Sequence, residues 1–199
     1  MNFLAHARLS FNNPSILTGN LISDFVKGKS QYDYSVQIHK GILLHRRIDN
    51  FTDRHFSIKE MSKIFKQHYG MYAGVFVDVV LDYFLANDVN EFADELMLHN
   101  FSQETYQHLN NQFELLPVNF QSVFLSMQKH NWLFNYKHNW GIQKSFSHIA
   151  YRAKYINESE IAFELFENNL DELKLNYDIF FPQVKEYAAA EFFKLMNDG

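Results

Sequence analysis

Met71 to Ala86 reads MYAGVFVDVVLDYFLA, and wound as a helix it presents apolar side chains in every direction. A helix without a polar face belongs inside a bundle, enclosed by other helices. Its only charges, Asp78 and Asp82, stand four residues apart and therefore one above the other on a single face. Burying one unpaired carboxylate costs several kcal/mol even after relaxation, and a like charge about 6 Å away adds to that cost. The pair needs something positive beside it. A divalent cation meets the need, and so does an Arg that bridges the two carboxylates.

Helices packed around this segment are the natural source of further polar groups. Over residues 34–53, Ile38, Gly41, Ile42, His45, Asp49 and Thr52 fall along one stripe, so an imidazole and a carboxylate continue an apolar, inward-facing line. His45 and Asp49 are again one turn apart, a spacing at which ring nitrogen and carboxylate oxygen can converge on one ion. A core His bonded to a neighbouring Asp is the competing reading. Arg46 and Arg47 supply fork-shaped cations suited to phosphate oxygens, or else pair with Asp49, Asp53 or Asp78. Asn13 followed by Pro14 reads as an N-cap opening a helix that stops near Gly28. On it Asn20 and Asp24, also four apart, interrupt an apolar face made by Leu17, Leu21 and Phe25. His6, alone among Phe3, Leu4 and Leu9, reads on its own as a hydrogen-bonded core residue. The remaining His residues, at 39, 55, 68, 99, 108, 130, 138 and 148, show no pairing with buried carboxylates and read as surface or packing positions.

The rest of the chain fits the same all-α, single-domain bundle. Seven Gly and three Pro in 199 residues leave little punctuation, and no useful stretch alternates apolar and polar residues as a half-buried strand does. Ser57 and Glu60 form a candidate capping box, and Gly70 marks the next break. Further helices are expected at about 90–113, 118–137 and 141–155, with Pro117 and Gly141 as breaks. Asn157 and Glu160 resemble a box opening a C-terminal helical stretch to about Met196, interrupted or kinked at Pro182. With 47% hydrophobic and 17% aromatic residues, the chain can bury a ring-rich core.

Composition also narrows the chemistry. There is no Cys, so disulfides and thiolate sites are excluded, and any metal must be held by imidazole and carboxylate, which favours Mn, Fe, Mg or Zn. The opening MNFLAHARLSF lacks the pattern of a signal peptide, and no apolar run approaches the roughly 20 residues of a membrane span, so a cytoplasmic protein is expected. Net charge is −5, spread unevenly: residues 1–69 carry +5, residues 70–130 carry −7 and residues 131–199 carry −3. The basic first third is either a solvated helical surface or a face for an acidic partner. No nucleic-acid signature is present.

Four ordered blocks, NFLAH at 2–6, GNLISDF at 19–25, GILLHRRID at 41–49 with TD at 52–53, and VDVVLDYFLA at 77–86, resemble the acyl carrier protein phosphodiesterase family. The C-terminal half is similar mainly in helical, aromatic character and in the Trp132–Leu133 pair. The resemblance implies a helical fold distantly similar to HD-type phosphohydrolases and a divalent cation, usually manganese. The implied reaction is hydrolytic removal of 4'-phosphopantetheine from holo acyl carrier protein. It carries over His6, Asp24, His45, Asp78 and Asp82 as metal candidates and Asp49 as a catalytic group, supported by Asn20 and Arg46 or Arg47. Where the family often places His after the second Asp of the central helix, this chain has Tyr83, expected to donate a hydrogen bond to the phosphate. An acidic carrier protein would give the basic first third a purpose, with Lys27, Lys29, Arg54, Lys63 and Lys66 as a docking surface. Two alternatives share these residues: a hydrolase for nucleotides or other small phosphodiesters, and a non-catalytic relative that binds the carrier.

Overall fold

Side-chain caps decide where five of the helices begin. The computed structural model describes residues 1–152 and 159–197, and among these residues helices are joined by turns and short 3-10 segments, with no strand. After α1 (Phe3–Arg8), the consecutive left-handed residues Phe11 and Asn12 reverse the chain. Asn13 then accepts from the Ile16 amide at 3.1 Å and opens α2 (Pro14–Ile22), with Pro14 in the first turn as expected. A 3-10 turn, Ser23–Phe25, carries Asp24. Ser35 caps α3 (Val36–Arg54).

The helix α4 (Phe56–Tyr69) begins differently from the expected capping box: the His55 ring accepts from the Ser57 amide at 3.2 Å, and the Ser57 hydroxyl is buried. Gly70, at φ +52°, ends it, and α5 (Ala73–Ala86) follows. Within residues 56–86 an 18-residue window reaches a mean hydropathy of 1.3, as a membrane span would, yet the segment forms two helices broken at Gly70 and that window lies mostly inside the protein. The next helix, α6 (Glu95–Asn111), starts later than the expected 90 because the Asp94 side chain accepts from the Met97 amide at 2.8 Å. The expected helix over 118–137 is split into α7 (Val118–Lys129) and α8 (Trp132–Asn135) by Asn131, which turns the backbone at φ +46°. Then come α9 (Asn139–Arg152), α10 (Ser159–Asn168) and α11 (Leu170–Asn197). Asn157 lies outside the described residues. The break in the C-terminal stretch falls at Asn169, whereas α11 continues through Pro182, with Phe180, Phe181 and Val184 around it buried in the core.

The central position expected for residues 71–86 is what α5 occupies: it packs against α1, α4, α9 and α11, and Phe76, Val77, Val80, Leu81 and Leu85 are sealed from solvent. Rings dominate its surroundings. Phe76 stacks on Phe65 of α4 at 5.8 Å and meets Phe146 of α9 edge-on at 5.2 Å, arrangements worth about 0.5–1.5 kcal/mol each beyond the area they bury.

Two glycines set the approach of α2 to α3. A Cβ on Gly19 would stand 2.0 Å from the Ile38 carbonyl oxygen, and one on Gly41 would stand 2.4 Å from that of Ile16. Backbone thus rests on backbone at the crossing. Asn20 follows Gly19 directly, and His45 sits one turn after Gly41, so the crossing brings these two residues together.

Candidate metal centre

The short helix α1 is held at both ends. At its amino end the buried Asp82 carboxylate accepts hydrogen bonds from the Leu4 and Ala5 amides at 2.8 and 3.0 Å. Beside it Asp78 lies 3.0 Å from the Met1 ammonium. The positive partner that the two acids require is therefore the amino end of α1, where unsatisfied N–H groups and the helix dipole favour negative charge, rather than a bridging Arg. Burial pushes the Asp82 carboxyl up to about 7 against these contacts, and burial likewise raises Asp78. Of these two expected metal ligands, Asp82 here binds the α1 amides, and Asp78 binds the Met1 ammonium and borders the cleft.

At the other end of α1, His6 is buried and its ring is oriented by α2. The Asn20 amide nitrogen donates to the His6 carbonyl at 2.9 Å and reaches the Ser10 hydroxyl at 3.1 Å, which leaves its Oδ1 facing His6 Nδ1 at 2.8 Å. An amide oxygen only accepts, so Nδ1 carries the hydrogen and Nε2 presents its lone pair. His45 is fixed by the same residue through the backbone: its Nδ1 donates to the Asn20 carbonyl at 2.7 Å, which turns Nε2 toward Asp24 and Asp49. The two rings stack at 4.0 Å with 16° between their planes, so both Nε2 atoms face the same space.

That space contains Asp49. Its Oδ2 lies 2.9 Å from His45 Nε2 and its Oδ1 lies 3.2 Å from His6 Nε2, while Asp24 Oδ1 lies 3.2 Å from His45 Nε2 on the solvent side. His6 Nε2 and Asp49 Oδ1 are nonetheless buried without a hydrogen bond. Lone pair faces lone pair there, an arrangement that a cation resolves. At His45 a proton supplies the charge: burial opposes it, but bonds to Asp24 and Asp49 prevail and push the imidazole up to about 9. Burial and the positive neighbour His45 hold His6 down at about 4. Burial works to raise Asp49, but its contact with His45 and the closeness of His6 hold it well below the usual carboxylate range nonetheless.

The ligand-forming atoms of His6, His45 and Asp49 lie within 4.8 Å of one another. Two imidazole nitrogens and a carboxylate suit Mn, Fe or Zn, and the orphaned atoms at their centre fit a divalent ion. Each His donates its other N–H to an oxygen of Asn20, as imidazoles that bind metals commonly do to an oxygen behind them.

The other expected residues are more dispersed. Asp24 is 74% exposed and borders both the cluster and a cleft of about 650 Å³. Asp49, expected as a catalytic group, stands among the convergent donors, and His6 is at their centre. Arg46, on the exposed side of α3, donates to Gln31 at 2.6 Å and to the Val26 carbonyl at 3.3 Å, holding the segment that bears Lys27 and Lys29. Arg47 donates to Glu191 of α11 at 2.7 Å. Neither Arg reaches the donor cluster. Tyr83, expected to meet the phosphate, packs edge-on against Phe166 of α10 at 5.1 Å and is not among the residues lining the cleft. Lys27, Lys29, Arg54 and Lys66 are exposed, whereas Lys63 pairs with Glu60 at 2.7 Å.

The sequence reading missed the part of the cleft formed by α8, α9 and the residues around them, where Trp132, Trp140, Lys144, His130 and His148 line the same space as Asp24, Asp78 and Phe3. The density of Trp, His and Lys over 130–148 was the available signal.

Comparison with known proteins bears on the same residues. A relative described as acyl carrier protein phosphodiesterase from Klebsiella pneumoniae (strain 342) is 30% identical over 188 residues, 94% of this chain and 97% of its own. The protein so described from Yersinia enterocolitica is 35% identical over 136 residues, 68% of this chain and 70% of its own. No solved structure matches the chain. The profile of the acyl carrier protein phosphodiesterase family matches residues 1–184, the whole of the donor cluster and the cleft included, and the chain belongs to that family.

Proposed function

We propose that this protein hydrolyses the phosphodiester that joins 4'-phosphopantetheine to a serine of holo acyl carrier protein, releasing apo carrier protein and 4'-phosphopantetheine. Family membership supports the substrate, and the observation that carries the metal dependence is the convergence of two oriented Nε2 atoms and Asp49 on orphaned buried atoms. His6, His45 and Asp49 are assigned to hold one divalent cation, with Mn²⁺ the foremost candidate. A cation so held polarises a phosphoryl oxygen and acidifies water.

The chain's own groups divide the remaining work. Asn20 keeps both imidazoles in the tautomer that leaves Nε2 free. Asp24, exposed at the cleft and in contact with His45, is assigned to orient the attacking water and accept its proton. Lys27 and Lys29, on the segment clasped by Arg46, offer positive charge beside Asp24 to an acidic carrier protein.

Mass spectrometry of holo carrier protein incubated with the protein and Mn²⁺ tests the reading. Loss of the prosthetic-group mass, abolished by His45→Ala and by Asp49→Ala, is the expected result. Retention of that mass by fully metal-loaded protein would refute it. A generic diester such as bis(p-nitrophenyl) phosphate, assayed in parallel, separates carrier specificity from general phosphodiesterase activity.

A further inference from the structure

With Arg46 bound to Gln31 and Val26, and Arg47 bound to Glu191, the cations that the sequence offers for a phosphodiester are engaged elsewhere. The cleft beside the donor cluster supplies others. Lys144 and His148, one turn apart on α9, line it together with His130, and all three are exposed. Lys144 has no ion-pair partner among the described residues. Asp24 and Asp78 line the same cleft, and Asp24 also touches His45, so acidic and cationic groups share one cleft beside the donor cluster.

Much of the cleft surface is aromatic. Phe3, Phe25, Trp132 and Trp140 line the cleft, and Phe3 lies 6.4 Å from Trp132. Asn2, Asn135 and Ser145 add groups that can meet amides. A volume of about 650 Å³ is that of a small-molecule site, and apolar walls with a few polar groups suit an aliphatic chain interrupted by amides. Gly141 makes the wall: a Cβ there would stand 2.0 Å from the Asn135 carbonyl oxygen, so α8 and α9 meet on bare backbone.

From this geometry we infer that Lys144, with His148, is the phosphate-binding group of the cleft, and that Trp132 and Trp140 flank the site of the pantetheine arm. The inference rests on the proposed reaction for the identity of the arm and adds Lys144, His148 and Trp140, which neither the motifs nor the family blocks contain. The mutual proximity of the cations is felt at His148, which burial, then Lys144 and His130, push below its ordinary value. An anion placed among them relieves that repulsion.

The two tryptophans of the chain both line the cleft, so intrinsic fluorescence reports its occupancy. Metal-free, full-length protein is titrated with 4'-phosphopantetheine and, separately, with pantetheine. Both should give a saturable change, the phosphorylated ligand binding more tightly. Lys144→Ala should weaken 4'-phosphopantetheine about tenfold and leave pantetheine unchanged, with Lys144→Arg restoring most of the loss. No saturable response in the folded wild type, or equal weakening of the two ligands by Lys144→Ala, would overturn the inference. Carrier-protein cleavage that survives either result leaves the proposed reaction standing and only the cleft assignment lost. Lys144-dependent binding without any cleavage gives the converse.

Discussion

Removing the Asn20 side chain should affect the two imidazoles unequally. In Asn20→Ala the His6 Nδ1–H loses its acceptor at 2.8 Å, while His45 keeps its own, the Asn20 backbone carbonyl at 2.7 Å. A buried donor left unpaired costs about 1–3 kcal/mol, so the metal-free protein should lose roughly 2 kcal/mol of stability. His6 would also lose the bond that fixes its tautomer. Loss of an outer-shell partner typically lowers metal affinity 10–100-fold, which is about 1.4–2.7 kcal/mol. Calorimetric titration with Mn²⁺ or Zn²⁺ measures that loss, and ¹⁵N spectra of the imidazoles in Zn²⁺-loaded protein locate it. The His45 Nδ1–H signal should persist, and that of His6 should lose its protection. Unchanged affinity, or simultaneous loss of both signals, would refute the reasoning that one residue orients the rings through separate oxygens.

Three further outcomes follow from the same geometry. His45 is raised from 6.5 to about 9 in the folded chain, so its contribution is complete below pH 6.5 and is lost as pH rises through about 9; roughly 3 kcal/mol is at stake. Denaturant titrations of metal-free protein between pH 6.5 and 9 should show that decline, and His45→Gln should flatten it. Asp82→Ala strands the Leu4 and Ala5 amides and should cost about 2–4 kcal/mol in thermal or denaturant unfolding; Asp82→Asn, which keeps one acceptor oriented, should recover part of it. Gly19→Ala places a methyl 2.0 Å from a carbonyl oxygen and should cost roughly 2–3 kcal/mol while lowering metal affinity, whereas Gly74→Ala, which meets nothing within 4 Å, should do neither.

The legible part of this molecule is the part written in local periodicity. An apolar run on all faces announces α5, a one-turn spacing announces His45 with Asp49, and Asn-Pro announces the start of α2. What sequence spacing did not carry was the partner of each polar group. Asp78 and Asp82 do require positive charge, but it comes from the end of a helix 77 and 78 residues away rather than from a side chain. His6 looks like an ordinary core His because its meaning depends on Asn20, and that contact exists only after the chain reverses at Phe11 and Asn12. The cleft wall around Lys144 was hidden for a similar reason, since its residues acquire a common direction only when α8 turns into α9.

A helix of six residues is far too short to persist in water, because nucleation costs more than so few hydrogen bonds return. The helical state of α1 is thus lent to it by Asp82 at one end and by Ser10 and Asn20 at the other. It follows that the chain acquires its three donors in stages. His45 and Asp49 belong to one helix and can come together early, but His6 arrives only after α2 and α5 have both taken their places. An ion bound by all three reads the completion of folding rather than its beginning. Metal uptake during refolding should therefore lag behind helix formation and coincide with the last tertiary step.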